Sequence, residues 1–251
     1  LVEFIPSWTV GLQRVQRGEL DAIVVDYEAL PAVADCKKGL EPGSPLTRRA
    51  RKSNVMVKFK QAYGDAAAAF KGAPRTATVN IKQHRGVAHA MEGRGAQAVY
   101  DPNEDRLTLW ASTQLAHEMR AFLMALLKRD ENQLRVVAPD VGGGFGAKFV
   151  MYPEDVALCA ACLKLGRPVK WVEDRREHLV ATNHAREQTH RLEAAFDADG
   201  ALLALRDEIW HDKGAYIRPT GIIVADITLG ILPAGYRLAA YEATLHAVTT
   251  N

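Results

Sequence analysis

Four glycines in five positions surround one phenylalanine in VAPDVGGGFGAKF, residues 137–149: Gly142, Gly143, Gly144 and Gly146 around Phe145. Bare backbone of this kind exposes N–H groups and lets a bulky polar ligand approach the main chain. A nucleotide P-loop requires a hydroxyl after its lysine, but Lys148 is followed by Phe149. Gly142, Gly144 and Ala147 satisfy the spacing of a dinucleotide fingerprint. Yet Tyr152-Pro153 places the next helix start several residues too late, and the acids Glu173 and Asp174 come later than a ribose contact needs. These weaken the dinucleotide-binding reading without closing it, and two others stand beside it. One is a backbone-donor site with the aromatic ring turned into a cavity. The other is a tight turn whose glycines only permit unusual dihedrals.

Other reactive side chains give little. Cys159 and Cys162 form C-x-x-C, but no second ligand pair exists for zinc, and the motif sits inside an Ala/Leu-rich helical run. Two small core residues one turn apart is the expected outcome. The eight histidines form no paired-ligand motif. His84 and His89 are the ones nearest to a functional pattern. Trp210, His211, Asp212 and Tyr216 form a strand-end cluster able to line a pocket. Glu173, Asp174 and Glu177 with Arg175 and Arg176 read as a solvated helix start.

The elements that position these residues mix strands and helices without strict alternation, which predicts an α+β fold. Strands are expected at AIVVDY (22–27), VMVKFK (55–60), ATVNIKQ (77–83), LRVVAP (134–139), PVKWVED (168–174) and RLAAYEATLHAVTTN (237–251). Hairpins are expected at 96–112 around PNED and at 187–214 around Ala-Asp-Gly. AYGDAAAAFKGA (62–73) suggests a short helix. TQLAHEMRAFLMALLKRD (113–130) is the clearest helix, with Thr113 as N-cap and Leu115, Met119, Phe122, Leu123, Leu126 and Leu127 on one face. Pro153-Glu154-Asp155 opens another, which Gly166 ends.

The 251 residues suffice for one large domain or two small ones, and hydrophobic content of 48% is ordinary for a globular chain. A formal net charge of +2 argues against a dedicated nucleic-acid binder. No apolar run approaches a membrane span of about 20 residues. Three cysteines without a disulfide framework fit a reducing, cytoplasmic compartment.

AMEGRGAQAVYD (90–101), LTLWASTQ (107–114) and the glycine loop follow one another in close order. Together they resemble the molybdenum-binding large subunit of the xanthine dehydrogenase / aldehyde oxidase family, most closely its aerobic carbon monoxide dehydrogenase type. LGRPVKWVEDRREHLVATNH (165–184), RLEAAFDADGALLALRDEIWHDKGAY (191–216) and AVTTN fit the same pattern. VDYEALPAV with LEPGSPL resembles the end of the hammerhead-like α/β domain that precedes the molybdenum domain. The resemblance implies residues 1–54 as that tail plus linker, and 55–251 as the first part of a molybdopterin-binding domain. It implies a small-molecule substrate oxidised with oxygen from water, by molybdenum on a pterin in its cytosine dinucleotide form. It also implies iron–sulfur clusters and FAD on partner subunits.

The same resemblance assigns residues. Gln114 matches the glutamine whose amide approaches an oxo ligand of the metal. Gly143, Gly144, Phe145 and Gly146 match the loop whose backbone donates to the cofactor, with Phe145 lining the substrate pocket. Phe149 stands where the xanthine-oxidising branch carries a purine-binding glutamate, so purine is disfavoured. The family's M-E-P-R appears as Met91-Glu92-Gly93-Arg94, a structural Glu/Arg pair. The family's catalytic arginine or cysteine loop and its glutamate base have no counterpart in this sequence. The expectation is a fragment, a truncated product or one piece of a split subunit, inactive alone and completed by the remaining half of the large subunit; the alternative is a catalytically inactive module with only a folding or subunit-docking role.

Overall fold

The computed structural model describes residues 28–218 and 220–251, so the strand expected at 22–27 lies outside the described residues. The fold is α+β, as the sequence predicts. The chain runs through β1 (Val55–Tyr63), α1 (Ala66–Gly72), β2 (Arg75–Gln83), β3 (Gly86–Val87), β4 (Gly95–Asp101) and β5 (Arg106–Ala111). It continues with α2 (Ala116–Leu127), β6 (Leu134–Val137), α3 (Pro153–Leu165), β7 (Val169–Val172), α4 (Arg175–Ala181) and β8 (His184–Ala185). The last elements are β9 (Gln188–Phe196), β10 (Leu202–Asp212), α5 (Gly221–Ile231) and β11 (Ala240–Val248).

Three sheets result. A five-stranded sheet has the order β1-β11-β10-β9-β2, a four-stranded sheet the order β6-β5-β4-β7, and β3 pairs β8 as a small ribbon. Both expected hairpins form, β4 with β5 and β9 with β10, antiparallel in each case. The β9–β10 turn is set by Asp197, whose Oδ1 accepts from the amides of Asp199 and Ala201, and by Gly200 at positive φ. β10 and β11 are parallel. A parallel pair needs a crossover, and α5 is part of it.

Each large sheet is covered by helices. Leu107, Leu109 and Ala98 of the four-stranded sheet pack with Met119 and Leu123 of α2 and with Leu158, Cys159 and Cys162 of α3. The C-x-x-C cysteines are therefore core residues, and burial pushes the Cys159 thiol up to about 12. The five-stranded sheet buries Ile209, Ala243 and Leu245 against Ala225 and Leu229 of α5.

Several local expectations change. Leu115, not Thr113, occupies the N-cap position of α2. The Thr113 hydroxyl instead accepts from the Leu115 amide and donates to the carbonyl of Lys148. Phe122 and Leu126 are exposed, because α2 meets its sheet along the narrow Met119–Leu123 stripe. β1 continues through Tyr63, and the following helix starts only after Asp65, which caps it by accepting from Ala68 N. α5 was not anticipated. Its sequence, GIIVADITLGI, has almost no polar residues, so no amphipathic period marks it. α3 runs as expected from Pro153 to Leu165, and Gly166 ends it in the left-handed region.

The segment ahead of β1 is tied to the end of β11. Asn54, buried, donates to the carbonyls of Gly39 and Pro45 and accepts from the amide of Thr249. Asn251 exchanges two hydrogen bonds with Val33.

The packing predicts unequal costs along α2. Leu123→Ala should lower unfolding free energy by about 2–5 kcal/mol, since it empties a fully enclosed site. Phe122→Ala should change it by about 0.5 kcal/mol or less. Urea denaturation of the two variants measures the difference; similar midpoints would contradict this packing.

Candidate functional site

The glycine loop fills the space between β6 and α3, and one carboxylate sets its shape. Glu92 Oε2 accepts from Gly142 N, Ser112 Oγ and Lys148 Nζ, each at 2.7 Å. The Glu92 amide donates back to the Gly142 carbonyl at 3.3 Å. Gly142 cannot carry a side chain here, because a Cβ would lie 2.6 Å from Glu92 Cβ. The Lys148 side chain is fully buried, and its backbone carbonyl accepts from Gln114 N at 3.0 Å. Burial alone would raise the Glu92 pKa. Its bonds to Lys148, Ser112 and Gly142 outweigh that and hold it below the ordinary value.

Gln114 then meets the loop. Its Oε1 accepts from Gly146 N at 3.2 Å. A backbone N–H can only donate, so the accepting atom must be the oxygen, and Nε2 is left as a donor. A Cβ on Gly144 would fall 2.4 Å from that oxygen, so only glycine permits the approach. Among the described residues, no acceptor faces the amides of Gly143, Gly144 and Phe145.

Phe145 has φ 52°, a left-handed backbone that a bulky residue seldom adopts, and its side chain is 77% exposed. Such an outlier needs its surroundings to hold it. Gly143, itself at positive φ, leaves room for the ring: a Cβ there would come within 3.0 Å of Phe145. Phe145, Gly146 and Phe149 line one open cavity of about 1390 Å³. Gln114, Gly143 and Gly144 are not among its lining residues.

Behind the loop lies a second, buried ion cluster. Arg94 donates to Glu173 through both its backbone amide and its guanidinium, at 2.8 Å each. His178 Nδ1 meets the same carboxylate at 2.9 Å, and its Nε2 meets the Ala88 carbonyl at 2.7 Å. The Arg94 guanidinium also lies 3.8 Å from the centre of the Tyr152 ring. The Tyr152 hydroxyl donates to the Ala147 carbonyl at 2.6 Å, which anchors the far end of the loop.

Two expectations are corrected by this cluster. Glu173 is not part of a solvated helix start but has a fully buried side chain, because Arg94 neutralises it and His178 Nδ1 lies within hydrogen-bond distance. Asp174 and Glu177 do form a capping box for α4. Glu92 and Arg94 do not pair with each other either; successive turns send one to Lys148 and the other to Glu173. His211, Asp212 and Tyr216 line the cavity, whereas Trp210 does not and stacks on His246. His89 also lines the cavity and stacks on His178, while His84 does not line it. Among the described residues no His, Cys, Asp or Glu group is arranged to hold a metal ion directly. The roles of Ser112 and Lys148 were missed, since a lone serine or lysine carries no pattern in sequence.

Glu92→Gln should remove the counter-charge of a buried ammonium and cost about 1–3 kcal/mol. Because the Glu92 pKa is depressed on folding, its contribution is present above the unfolded value of 4.5 and disappears as pH falls through the folded one. The protection of the Gly142 and Gly146 amides, taken relative to the intrinsic exchange rate at each pH, should therefore fall on acidification below pH 4.5 in the wild type. Acid-insensitive protection of the loop would contradict the role given to Glu92.

Comparison with known proteins places the geometry. Residues 48–251 match the molybdopterin cofactor-binding domain family. The chain is 38% identical over 235 residues to the gamma subunit of the 6-hydroxypseudooxynicotine dehydrogenase complex of Paenarthrobacter nicotinovorans, covering 92% of this chain and 29% of the relative. It is 35% identical over 211 residues to the carbon monoxide dehydrogenase large chain of Hydrogenophaga pseudoflava, covering 78% of this chain and 26% of the relative. The structure superposes on quinoline 2-oxidoreductase from Pseudomonas putida 86 with TM-score 0.85 and 31% identity, over 97% of this chain and 30% of that one. The chain thus spans under a third of the length of these relatives. Its fold, its glycine loop and its relatives make it a member of the molybdopterin cofactor-binding domain family of molybdenum hydroxylase large subunits.

Proposed function

We propose that this chain forms one wall of the molybdenum–molybdopterin site in the large subunit of a hydroxylase-type oxidoreductase. The observation that carries the reading is the pairing of Gln114 Oε1 with Gly146 N, which presents a neutral amide donor beside three unpaired backbone amides. The residues fit such a group. Its oxygen- and sulfur-rich surface calls for hydrogen-bond donors, and the missing Cβ at Gly144 opens the backbone beside Gln114. When bound, the group supplies the centre at which oxygen from water is passed to a carbon substrate and electrons are withdrawn.

The chain's own residues do the rest. Gln114 Nε2 and the amides of Gly143, Gly144 and Phe145 donate toward the cofactor without adding charge. Phe145 and Phe149 shape the substrate side and keep it apolar. With phenylalanine at position 149, no carboxylate is offered there to a purine, which favours an aldehyde, a simpler heterocycle or a small CO-type substrate. The two acids lining the cavity, Glu187 and Asp212, are both ion-paired to Arg85 and are poorly placed to act as a base. The general base is accordingly assigned to the remaining half of the large subunit, so this chain alone is inactive.

The wider assembly follows the same reading. Residues 1–54 form the tail of a hammerhead-like domain and 55–251 the first part of the cofactor domain. The pterin carries a cytosine dinucleotide, and iron–sulfur and FAD subunits take the electrons. The assembly works in the cytoplasm. Among the described residues no helix is long and apolar enough to cross a membrane.

The test is a complex of this chain with the rest of the subunit, produced in a host that makes the cofactor. Gln114→Ala should lower kcat by about 10²–10³-fold, the usual cost of losing one preorganised donor, with molybdenum content and thermal melting followed alongside. Unchanged turnover would remove Gln114 from the site. Stoichiometric molybdenum and turnover with this chain alone would overturn the assignment of the base to another part.

A further inference from the structure

The cavity beside the glycine loop has a charged end that the cofactor reading does not use. Its lining holds Arg85, Arg186, Lys213 and Arg218 against only Glu187 and Asp212. Arg85 is spent on both acids, at 2.7 Å and 2.8 Å. Asp212 Oδ1 is further occupied by Gly214 N and Thr250 Oγ1, each at 2.7 Å. Arg186 is exposed and Arg218 lies over the Tyr152 ring.

Lys213 differs from the other three. It is partly buried, and its ammonium donates to the Gly221 carbonyl at 2.5 Å and to His211 Nε2 at 3.1 Å. Both acceptors are neutral. Burial, with the nearby Lys213 and His190, pushes the His211 pKa down to about 3, so its ring stays uncharged at pH 7. Among the described residues no carboxylate lies within ion-pairing distance of Lys213 Nζ, and its third N–H has no acceptor. Asp212 acts on the ammonium only through space, and a desolvated cation with no direct ion pair is costly. That cost appears as an amine pKa pushed down by burial to about 8.

An anion reaching Lys213 Nζ would supply the direct ion pair that Asp212 does not make. One free N–H suits a carboxylate oxygen better than a phosphate, which asks for several donors. Phe145, Phe149, Ile223 and Ile227 line the same cavity and suit an apolar body. We propose that Lys213 anchors the substrate in this cavity and that the substrate is an aromatic or otherwise apolar carboxylate. This rests on the reading of Phe145 and Phe149 as the substrate side of the cofactor wall.

The experiment uses the complex of this chain with the rest of the subunit, prepared without cofactor, with benzoate, benzamide and inorganic phosphate as probes in calorimetric titration. Benzoate should bind at least about tenfold tighter than benzamide at pH 7, a difference of about 1.4 kcal/mol. Lys213→Met should abolish that preference and Lys213→Arg should keep it. In the wild type, benzoate affinity should fall as pH rises through about 8, because the ammonium is the form that binds. His211 and Asp212 on β10, His190 on β9, Glu187, Arg85 and Arg218 also face this network. The pH series is therefore repeated on Lys213→Met, where the fall near pH 8 should be absent. Equal binding of benzoate and benzamide, or a preference that survives Lys213→Met, overturns the proposal. Phosphate binding that exceeds benzoate and is lost in Lys213→Met overturns the carboxylate assignment. If Lys213→Met does not fold, Lys213→Arg and the wild-type pH series still decide. No molybdenum is involved, so failure here leaves the Gln114 result standing, and the reverse also holds.

Discussion

Everything at the candidate site hangs on one oxygen atom. Glu92 Oε2 gathers a backbone amide of the glycine loop, a hydroxyl from the end of β5 and a buried ammonium. Two of these donors come from the glycine loop and one from the end of β5, so the carboxylate fixes the loop against the four-stranded sheet. Lys148, once drawn inward, leaves its carbonyl to receive Gln114 N. Gln114 is thereby brought to Gly146, and the loop closes on itself. Remove the charge at position 92 and each later contact loses its reason.

A second constraint works from the opposite side. The Arg94–Glu173–His178 cluster and Tyr152 hold the exit of the loop, where the chain enters α3. The loop is thus pinned at both ends by charge and hydroxyl contacts, while its middle carries amides with no internal partner. That division suits a ligand site: rigid anchorage outside, unspent donors inside.

The sequence made much of this legible. Alternation revealed β1, and the turn residues PNED and Ala-Asp-Gly marked both hairpins; β2 follows its strand expectation although all of its residues are exposed. Proline and acids at 153–155 marked the start of α3 for reasons of dipole and dihedral. Gln114, Phe145 and Phe149 were singled out by the family resemblance of the motifs around them, not by spacing alone. What stayed hidden depends on three-dimensional charge pairing. Glu173 sits among four other charged residues and looks solvated, yet Arg94, 79 positions away, buries it. α5 escaped because a helix apolar on nearly all sides has no period to detect. Thr113 was misread since its hydroxyl is diverted to Lys148, a contact no local rule foresees.

Phe145 and Phe149 face the same cavity, yet they are not equivalent handles for reshaping it. At position 149 the main chain is ordinary, so volume can be exchanged there side chain by side chain. At position 145 the left-handed backbone ties residue type to loop path. A β-branched residue there would resist the dihedral, and a glycine would release it. Any gain in cavity space at 145 therefore arrives mixed with movement of the donor amides on either side. Evolution or engineering that seeks a new substrate has an independent variable at 149 and a coupled one at 145.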